Sequence, residues 1–226
     1  YVDLGKNVKS MLITSMAPSE GKSTTLVNLA LALAISGKKV IIMDADFRRP
    51  TIDKQLSLDN SIGLTNVIAG NCSLREALQM VDLSELSLNH LKNSQGAYGD
   101  SGNTTKPFNS QFLYCATTGP MPPNPGEIVS SLQFKEIINE AKGYADYVLV
   151  DAPPIMSVGD AASMASSVDG MILVIKLLHT SRNLLPQAQK FIESMPCTPL
   201  GVVVTNFTSR KKDGYYGYNY GTNYSD

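Results

Sequence analysis

Met16-Ala17-Pro18-Ser19-Glu20-Gly21-Lys22-Ser23-Thr24 separates a short apolar run, Met11 to Thr14, from a segment of helical periodicity, Thr24 to Ser36. Holding a phosphate takes backbone N–H groups at the positive end of a helix, a lysine that reaches the terminal phosphates, and a hydroxyl for Mg²⁺. Gly21, Lys22 and Ser23 supply these in the register of strand, turn and helix, and Thr24 adds a hydroxyl near the α-phosphate. The first glycine of the general G-x-x-x-x-G-K-[ST] pattern is absent, with Met16 in its place. A GKS tripeptide also opens helices by chance, so the loop alone does not decide the fold.

Outward from the loop, strand-like and helix-like segments alternate. Leu26, Leu29, Ala30, Leu33 and Ala34 recur at helical spacing, which turns one stripe toward a core. Gly37 stands where a left-handed helix terminator is expected, and Lys38-Lys39 complement the negative helix end. Val40 to Met43 then reads as a strand apolar on both faces, the mark of a buried parallel sheet. The same pattern returns at Val148 to Val150, Met171 to Ile175 and Val202 to Val204. Ser73-Leu74-Arg75-Glu76 is a capping box, and Asn124-Pro125-Gly126-Glu127 offers an Asn cap, Pro at the first helical position and Glu three after the cap. After Ser131 the set Phe134, Ile137, Ile138 and Ala141 continues at helical spacing to Gly143. The expected fold is α/β: a P-loop NTPase-like parallel sheet with helices on both faces and right-handed crossovers.

Two acidic stretches end strands of this sheet. Ile41-Ile42-Met43-Asp44-Ala45-Asp46-Phe47-Arg48 closes the second strand, and Val148-Leu149-Val150-Asp151-Ala152-Pro153-Pro154 closes another. A single Asp at such a place reads as a solvated helix cap. Ligands of open parallel sheets, however, sit beyond the carboxyl ends of the strands. Asp44, Asp46 and Asp151 are therefore expected to converge on the crevice of the phosphate loop, which implies nucleotide and Mg²⁺ binding.

The rest of the composition narrows the class. A length of 226 residues with 43% hydrophobic content suits one large domain or two small ones, not a disordered chain. Lys+Arg 19 against Asp+Glu 20 leaves a formal charge of -1, which excludes a protein whose main business is coating nucleic acid. Cys72, Cys115 and Cys197 are too few and scattered for a disulfide framework or zinc site, and they fit a reducing compartment. The longest apolar runs fall far below the ~18 residues of a membrane span. A start at Tyr1 without Met, and with no signal peptide, suggests a soluble fragment of a longer product.

Two stretches depart from the α/β rhythm. Residues 92 to 110 are rich in Gly, Ser, Asn and Thr, and read as a surface excursion, a hairpin with a mobile tip, between possible strands Leu86 to Leu91 and Phe112 to Ala116. The end of the chain, Tyr215-Tyr216-Gly217-Tyr218-Asn219-Tyr220-Gly221-Thr222-Asn223-Tyr224, holds half of the 10 tyrosines. Interleaved Gly and Asn make it either a low-complexity tail, an edge strand, or, beside a phosphate-transferring site, a substrate tail. The expected organisation is one domain over 1–209 and a flexible tyrosine-rich tail over 210–226. Fully phosphorylated, five tail tyrosines would add roughly −8 to −10 of charge, enough to weaken subunit association.

The three motifs together resemble the bacterial tyrosine kinases, the BY-kinase family, which act in export of capsular and extracellular polysaccharide. Pro18 to Thr24 matches that family's first Walker motif, Ile41 to Arg48 its A-prime D-x-D-x-R, Asp151 to Pro154 its D-x-P-P, and Gly119 to Glu127 its G-x-x-P-P-N-P-x-E. The likeness covers residues 8 to 208. It implies an ATP- and Mg²⁺-dependent protein-tyrosine autokinase on a fold shared with septum-site and plasmid-partition ATPases. By matched position, Lys22, Asp44, Asp46 and Arg48 are the catalytic candidates, with Lys22 on the β- and γ-phosphates and Asp44 as base for the tyrosine hydroxyl. Ser19, Glu20, Gly21, Lys22, Ser23 and Thr24 would hold the nucleotide, and Asn206 the adenine. Ser23, Asp46 and Asp151 would hold the metal, and Tyr215, Tyr216, Tyr218, Tyr220 and Tyr224 would be autophosphorylated.

The resemblance further implies a membrane adaptor of the polysaccharide co-polymerase type, either separate or fused. It also implies self-association through neighbouring tails, a cognate tyrosine phosphatase, and a place at the cytoplasmic face of the membrane. The E-x-x-R-x-x-R segment that packs family members into rings is not in this chain. The rival is a partition-type ATPase switch without kinase activity, whose loop carries a signature lysine where Ala17 stands here. A third reading is a catalytically weak regulator that binds nucleotide and contacts the polysaccharide machinery. Ala17, Arg48 and the tail favour the kinase.

Overall fold

In the computed structural model the structure describes residues 8–82, 112–155 and 159–206. The possible strand Leu86 to Leu91, the 92–110 segment and the tyrosine tail lie outside them. Seven strands form one sheet: β1 (Ser10–Ser15), β2 (Val40–Asp44), β3 (Leu78–Met80), β4 (Leu113–Ala116), β5 (Tyr147–Asp151), β6 (Gly170–Lys176) and β7 (Thr198–Thr205). Their order is β3-β4-β2-β5-β1-β6-β7. All neighbours are parallel except β3, an antiparallel edge on β4. The expected parallel sheet is therefore present with one antiparallel rim.

The helices are α1 (Lys22–Ile35), α2 (Ile52–Leu56), α3 (Leu64–Ile68), α4 (Leu74–Ala77), α5 (Pro125–Val129), α6 (Leu132–Tyr144), α7 (Asp160–Ala165) and α8 (Leu185–Ser194). Two apolar clusters lie on the two sheet faces. One gathers α1 and α2 with Ile13, Ile42 and Leu149, and the other gathers α6, α7 and α8 with Leu12, Met43 and Val150. Strand side chains alternate between these clusters, so a strand buried on both faces must be apolar throughout. Every residue of β2 is buried.

Three local expectations change. The core-facing stripe of α1 is Leu26, Val27, Ala30, Leu31 and Ala34, with Leu29 and Leu33 on its half-buried margin. β7 is the outer strand, so Val202 (52% exposed) and Val204 (48%) are not buried although their run reads like the central strands. Asn124 caps α5 without accepting a backbone bond; its Nδ2 donates to Glu127 Oε2 at 3.2 Å. The Ser73–Glu76 capping box forms. Gly37 takes φ +85°, with Lys38 N–H donating to Leu33 C=O and Gly37 N–H to Ala34 C=O, the Schellman pattern. Phe134, Ile137, Ile138 and Ala141 form the buried face of α6.

Candidate active site

β1 is central, and the chain leaves it at the point where successive strands are laid to opposite sides of the sheet. An open α/β sheet has its crevice there. The Met16–Gly21 turn crosses this point. Met16 is fully buried in the core and holds no left-handed backbone, which is why the missing glycine does no harm. Positive φ is confined in this turn to Ser19 (65°) and Gly21 (91°). Glu20 ties the turn shut: its carboxylate accepts from Met16 N–H at 2.8 Å, from Ala17 N–H at 3.0 Å and from the Thr180 hydroxyl. Thr205 braces the other side, donating its hydroxyl to Glu20 C=O at 2.8 Å.

Behind the turn, α1 begins at Lys22. The first N–H groups of a helix have no partner within it. Ser19, Glu20, Gly21, Lys22, Ser23 and Thr24 line a cavity of about 360 Å³ together with Asp46, Arg48, Arg49 and Pro153. Of the expected nucleotide ligands, Glu20 contributes main chain to this wall, since its carboxylate is turned back into the loop.

Lys22 Nζ lies 3.0 Å from Asp46 Oδ2 and 2.9 Å from Asp151 Oδ2. Ser23 Oγ donates to the same Asp151 oxygen at 2.6 Å. Burial works against the Lys22 charge, but Asp151 and Asp46 outweigh it and hold the ammonium above its ordinary value. Burial likewise pushes Asp151 up, opposed by Lys22 and by the Ser23 hydroxyl. Asp151 Oδ1 is buried with no hydrogen-bond partner.

Asp44 differs from Asp46. It is fully buried and does not line the cavity; Oδ2 accepts from Thr51 and Ile52 N–H at 3.3 and 3.1 Å, and Oδ1 from Asp46 N–H at 3.3 Å. Burial first, then the negative charge of Asp151, pushes its carboxyl up to about 8. The turn after β2 is stitched to β5 as Ala45 N–H donates to Asp151 C=O at 3.0 Å. The three aspartates thus converge with Lys22, Asp46 on the cavity wall and Asp44 and Asp151 buried behind it.

Arg48 reaches the cavity with its guanidinium paired to Asp160, a residue the sequence did not single out. Asn206 follows Thr205 at the end of β7, holds φ 58° and donates to Leu177 C=O at 3.2 Å; it is beside the loop but not in the cavity wall. The tail tyrosines lie outside the described residues. Thr180 and Thr205, which brace the loop, were also missed: a single threonine in a turn or at a strand end carries no periodic or spacing signal. Among the described residues no helix is long and apolar enough to cross a membrane.

Comparison with known proteins places the chain among nucleotide-binding proteins. Residues 11–218 match the CobQ/CobB/MinD/ParA nucleotide binding domain. The tyrosine-protein kinase YwqD of Bacillus subtilis is 35% identical over 222 residues, covering 98% of this chain and 81% of that protein. The tyrosine-protein kinase CpsD of Streptococcus agalactiae is 32% identical over 219 residues, covering 96% and 83%. Among solved structures, the kinase domain of the Escherichia coli tyrosine kinase ETK superposes with a TM-score of 0.73 at 27% identity, covering 95% of this chain and 74% of that one.

Proposed function

We propose the function of this chain from one premise: it belongs to the bacterial tyrosine-protein kinases, within the CobQ/CobB/MinD/ParA nucleotide-binding family. It is a protein-tyrosine kinase. The γ-phosphoryl group of ATP passes to a tyrosine hydroxyl: the bond from phosphorus to the β-bridging oxygen breaks, a tyrosyl O–P bond forms, and ADP and the hydroxyl proton are released. Such transfer asks the protein mainly to position the reactants and neutralise charge.

The observation that carries this reading is the Lys22 ammonium held between Asp46 and Asp151 on the wall of a cavity opened by the α1 N-terminus. Lys22 and the first N–H groups of α1 bind the phosphates, Ser19 to Thr24 shape their cradle, and Asn206 meets the adenine. Ser23, Asp46 and Asp151 would hold Mg²⁺. The fit rests on an all-oxygen donor set, which suits Mg²⁺, and on the unpartnered Asp151 Oδ1. When bound, the ion neutralises charge on the phosphate oxygens.

Asp44 is the base. It acts in its ionised form: burial and Asp151 raise its proton affinity to about 8, so the carboxylate that forms as pH rises through that value is a strong acceptor of the hydroxyl proton. Because it lies behind Asp46, taking that proton requires the 45–51 turn to open as the tyrosine enters. The substrate is the chain's own Tyr215, Tyr216, Tyr218, Tyr220 and Tyr224, presented to a neighbouring copy by a tail over 210–226 attached to the 1–209 domain. The setting is the cytoplasmic face of the membrane. There an adaptor of the co-polymerase type activates the kinase, a phosphatase resets it, and the cycle regulates capsular or extracellular polysaccharide synthesis and export.

Intact-mass measurement after incubation with ATP and Mg²⁺ tests the reading. Several phosphates on the Tyr215 to Tyr224 peptide of the parent, and none in Lys22→Met or Asp44→Asn, are expected. ATP hydrolysis without a modified tyrosine would instead indicate the partition-type switch.

A further inference from the structure

Arg48 and Asp160 belong to different segments and meet at the mouth of the cavity. Arg48 ends the D-x-D-x-R stretch after β2, and Asp160 is the first residue of α7, beyond the Asp151 to Pro154 segment. Arg48 Nε donates to Asp160 Oδ2 at 2.8 Å, and Nη2 reaches Oδ1 at 3.5 Å. The side chain of Asp160 is 10% exposed and that of Arg48 43%, so the buried partner anchors the exposed one. A guanidinium carries five N–H donors in a rigid fork. Asp160 engages one edge of that fork, and among the described residues no other carboxylate pairs with Arg48. The remaining donors belong to a residue that lines the cavity with Lys22 and Pro153.

Asp160 is approached closely from α5. Gly126, the second residue of α5, approaches so closely that a Cβ there would lie 3.3 Å from Asp160 Oδ1. The Gly119 to Glu127 segment thereby packs against the carboxylate that pairs with Arg48.

We infer that Asp160 is a positioning residue for phosphoryl transfer, fixing the Arg48 guanidinium at the cavity mouth so that its free donors meet the oxygens of the group in transit. The inference rests on the kinase reading above. An arginine without this hold spreads over many rotamers and loses its alignment with the transition state. Uniform binding of ATP, through Lys22 and the α1 N-terminus, does not depend on it.

The test is a double-mutant cycle on tail phosphorylation by the full chain, with rates measured across ATP concentrations for the parent, Asp160→Ala, Arg48→Ala, the double variant and Asp160→Glu. Asp160→Ala is expected to lower kcat about 10- to 100-fold with the KM for ATP within about 2-fold. Arg48→Ala lowers it at least as much, the double variant no further than Arg48→Ala, and Asp160→Glu recovers part of the loss. Asp160→Asn, which keeps the shape and removes the charge, takes the place of the alanine variant if that does not fold. An unchanged kcat, a loss confined to KM, or a further loss in the double variant overturns the inference. A parent that forms no phosphotyrosine overturns the kinase reading and this inference with it.

Discussion

Asp44 stands directly opposite Asp151, the two carboxylates ending adjacent parallel strands in register with no solvent exposure on either. Like charges so placed cannot both ionise cheaply, and Lys22 and Ser23 favour the charge on Asp151. The proton therefore resides on Asp44, with a pKa pushed up to about 8 by burial and by Asp151.

The sign of the consequence for stability follows from linkage. Between the unfolded value of about 3.9 and the folded value, the native state holds a proton that the unfolded state has released. Stability present below that lower limit is lost as pH rises through about 8. Without nucleotide, the thermal midpoint of the parent should fall from pH 5 to pH 8.5 by on the order of 5–10 °C more than that of Asp44→Asn. Circular dichroism reads this directly, as the chain has no Trp for fluorescence. Parallel curves for the two proteins would remove the raised proton affinity from the account.

Removing the cation from between two acids should deepen the loss of stability as pH rises. Lys22→Met leaves Asp46 and Asp151 facing each other in a site where the lysine side chain is only 10% exposed. Breaking a buried pair costs about 3–5 kcal/mol when the orphaned group stays charged. The midpoint should drop by on the order of 10 °C at pH 8 and by less at pH 5, where an orphaned acid can protonate, and nucleotide binding measured by calorimetry should vanish. A variant that still binds nucleotide with parental affinity would show that Lys22 serves only the fold.

Much of this was legible because the chemistry sits where local patterns are strongest. β2 and β5 are apolar runs that each end in Asp, and a parallel sheet brings strand ends to one crevice, so Asp44, Asp46 and Asp151 could be gathered before any coordinates. What was not legible depends on neighbours. Val202 and Val204 read like core residues because a single strand does not encode its rank in the sheet, and β7 happens to be outermost. Asp44 and Asp46 are one residue apart, yet only the pairing of Asp44 with the 51–52 N–H groups decides which acid is sealed in. Asp160 meets Arg48 across a sequence separation of 112, and an acid opening a helix is too common to single out.

Three glycines should separate steric from conformational effects. Gly63 has φ −163°, available to any residue, but a Cβ there would lie 2.3 Å from both Gly119 N and Thr117 O. Both contacts are backbone, so Gly63→Ala should cost about 1–3 kcal/mol. Thr118, whose hydroxyl donates to Asp44 C=O at 3.3 Å, connects that strain to the site and should lower activity as well. Gly37 has open space but φ +85°, so its alanine variant should cost about 1–2 kcal/mol with activity unchanged. Gly143, open and within α6, should gain about 0.5–1 kcal/mol on becoming alanine. Urea unfolding gives all three values, and a neutral Gly63→Ala would mean that the 117–119 loop yields freely.

Glu20 is the last and most direct test of how the loop is built. Its carboxylate is 1% exposed at the residue level and receives the N–H groups of Met16 and Ala17, which no helix or strand ladder satisfies. Leaving a buried donor unpaired costs about 1–3 kcal/mol, so the loop of Glu20→Ala should relax away from the conformation that holds Ser19 and Gly21 at positive φ. The expected outcome is nucleotide affinity weaker by on the order of 10-fold, since about 1.4 kcal/mol of the tether's energy would then be spent on reordering the loop at each binding event. Glu20→Gln keeps one acceptor oxygen and should fall between the two. Were Glu20 instead a direct phosphate or metal ligand, Gln would behave like Ala, because the lost charge and not the lost acceptor would dominate. Calorimetric titration of ADP into the three proteins decides between a tether and a ligand.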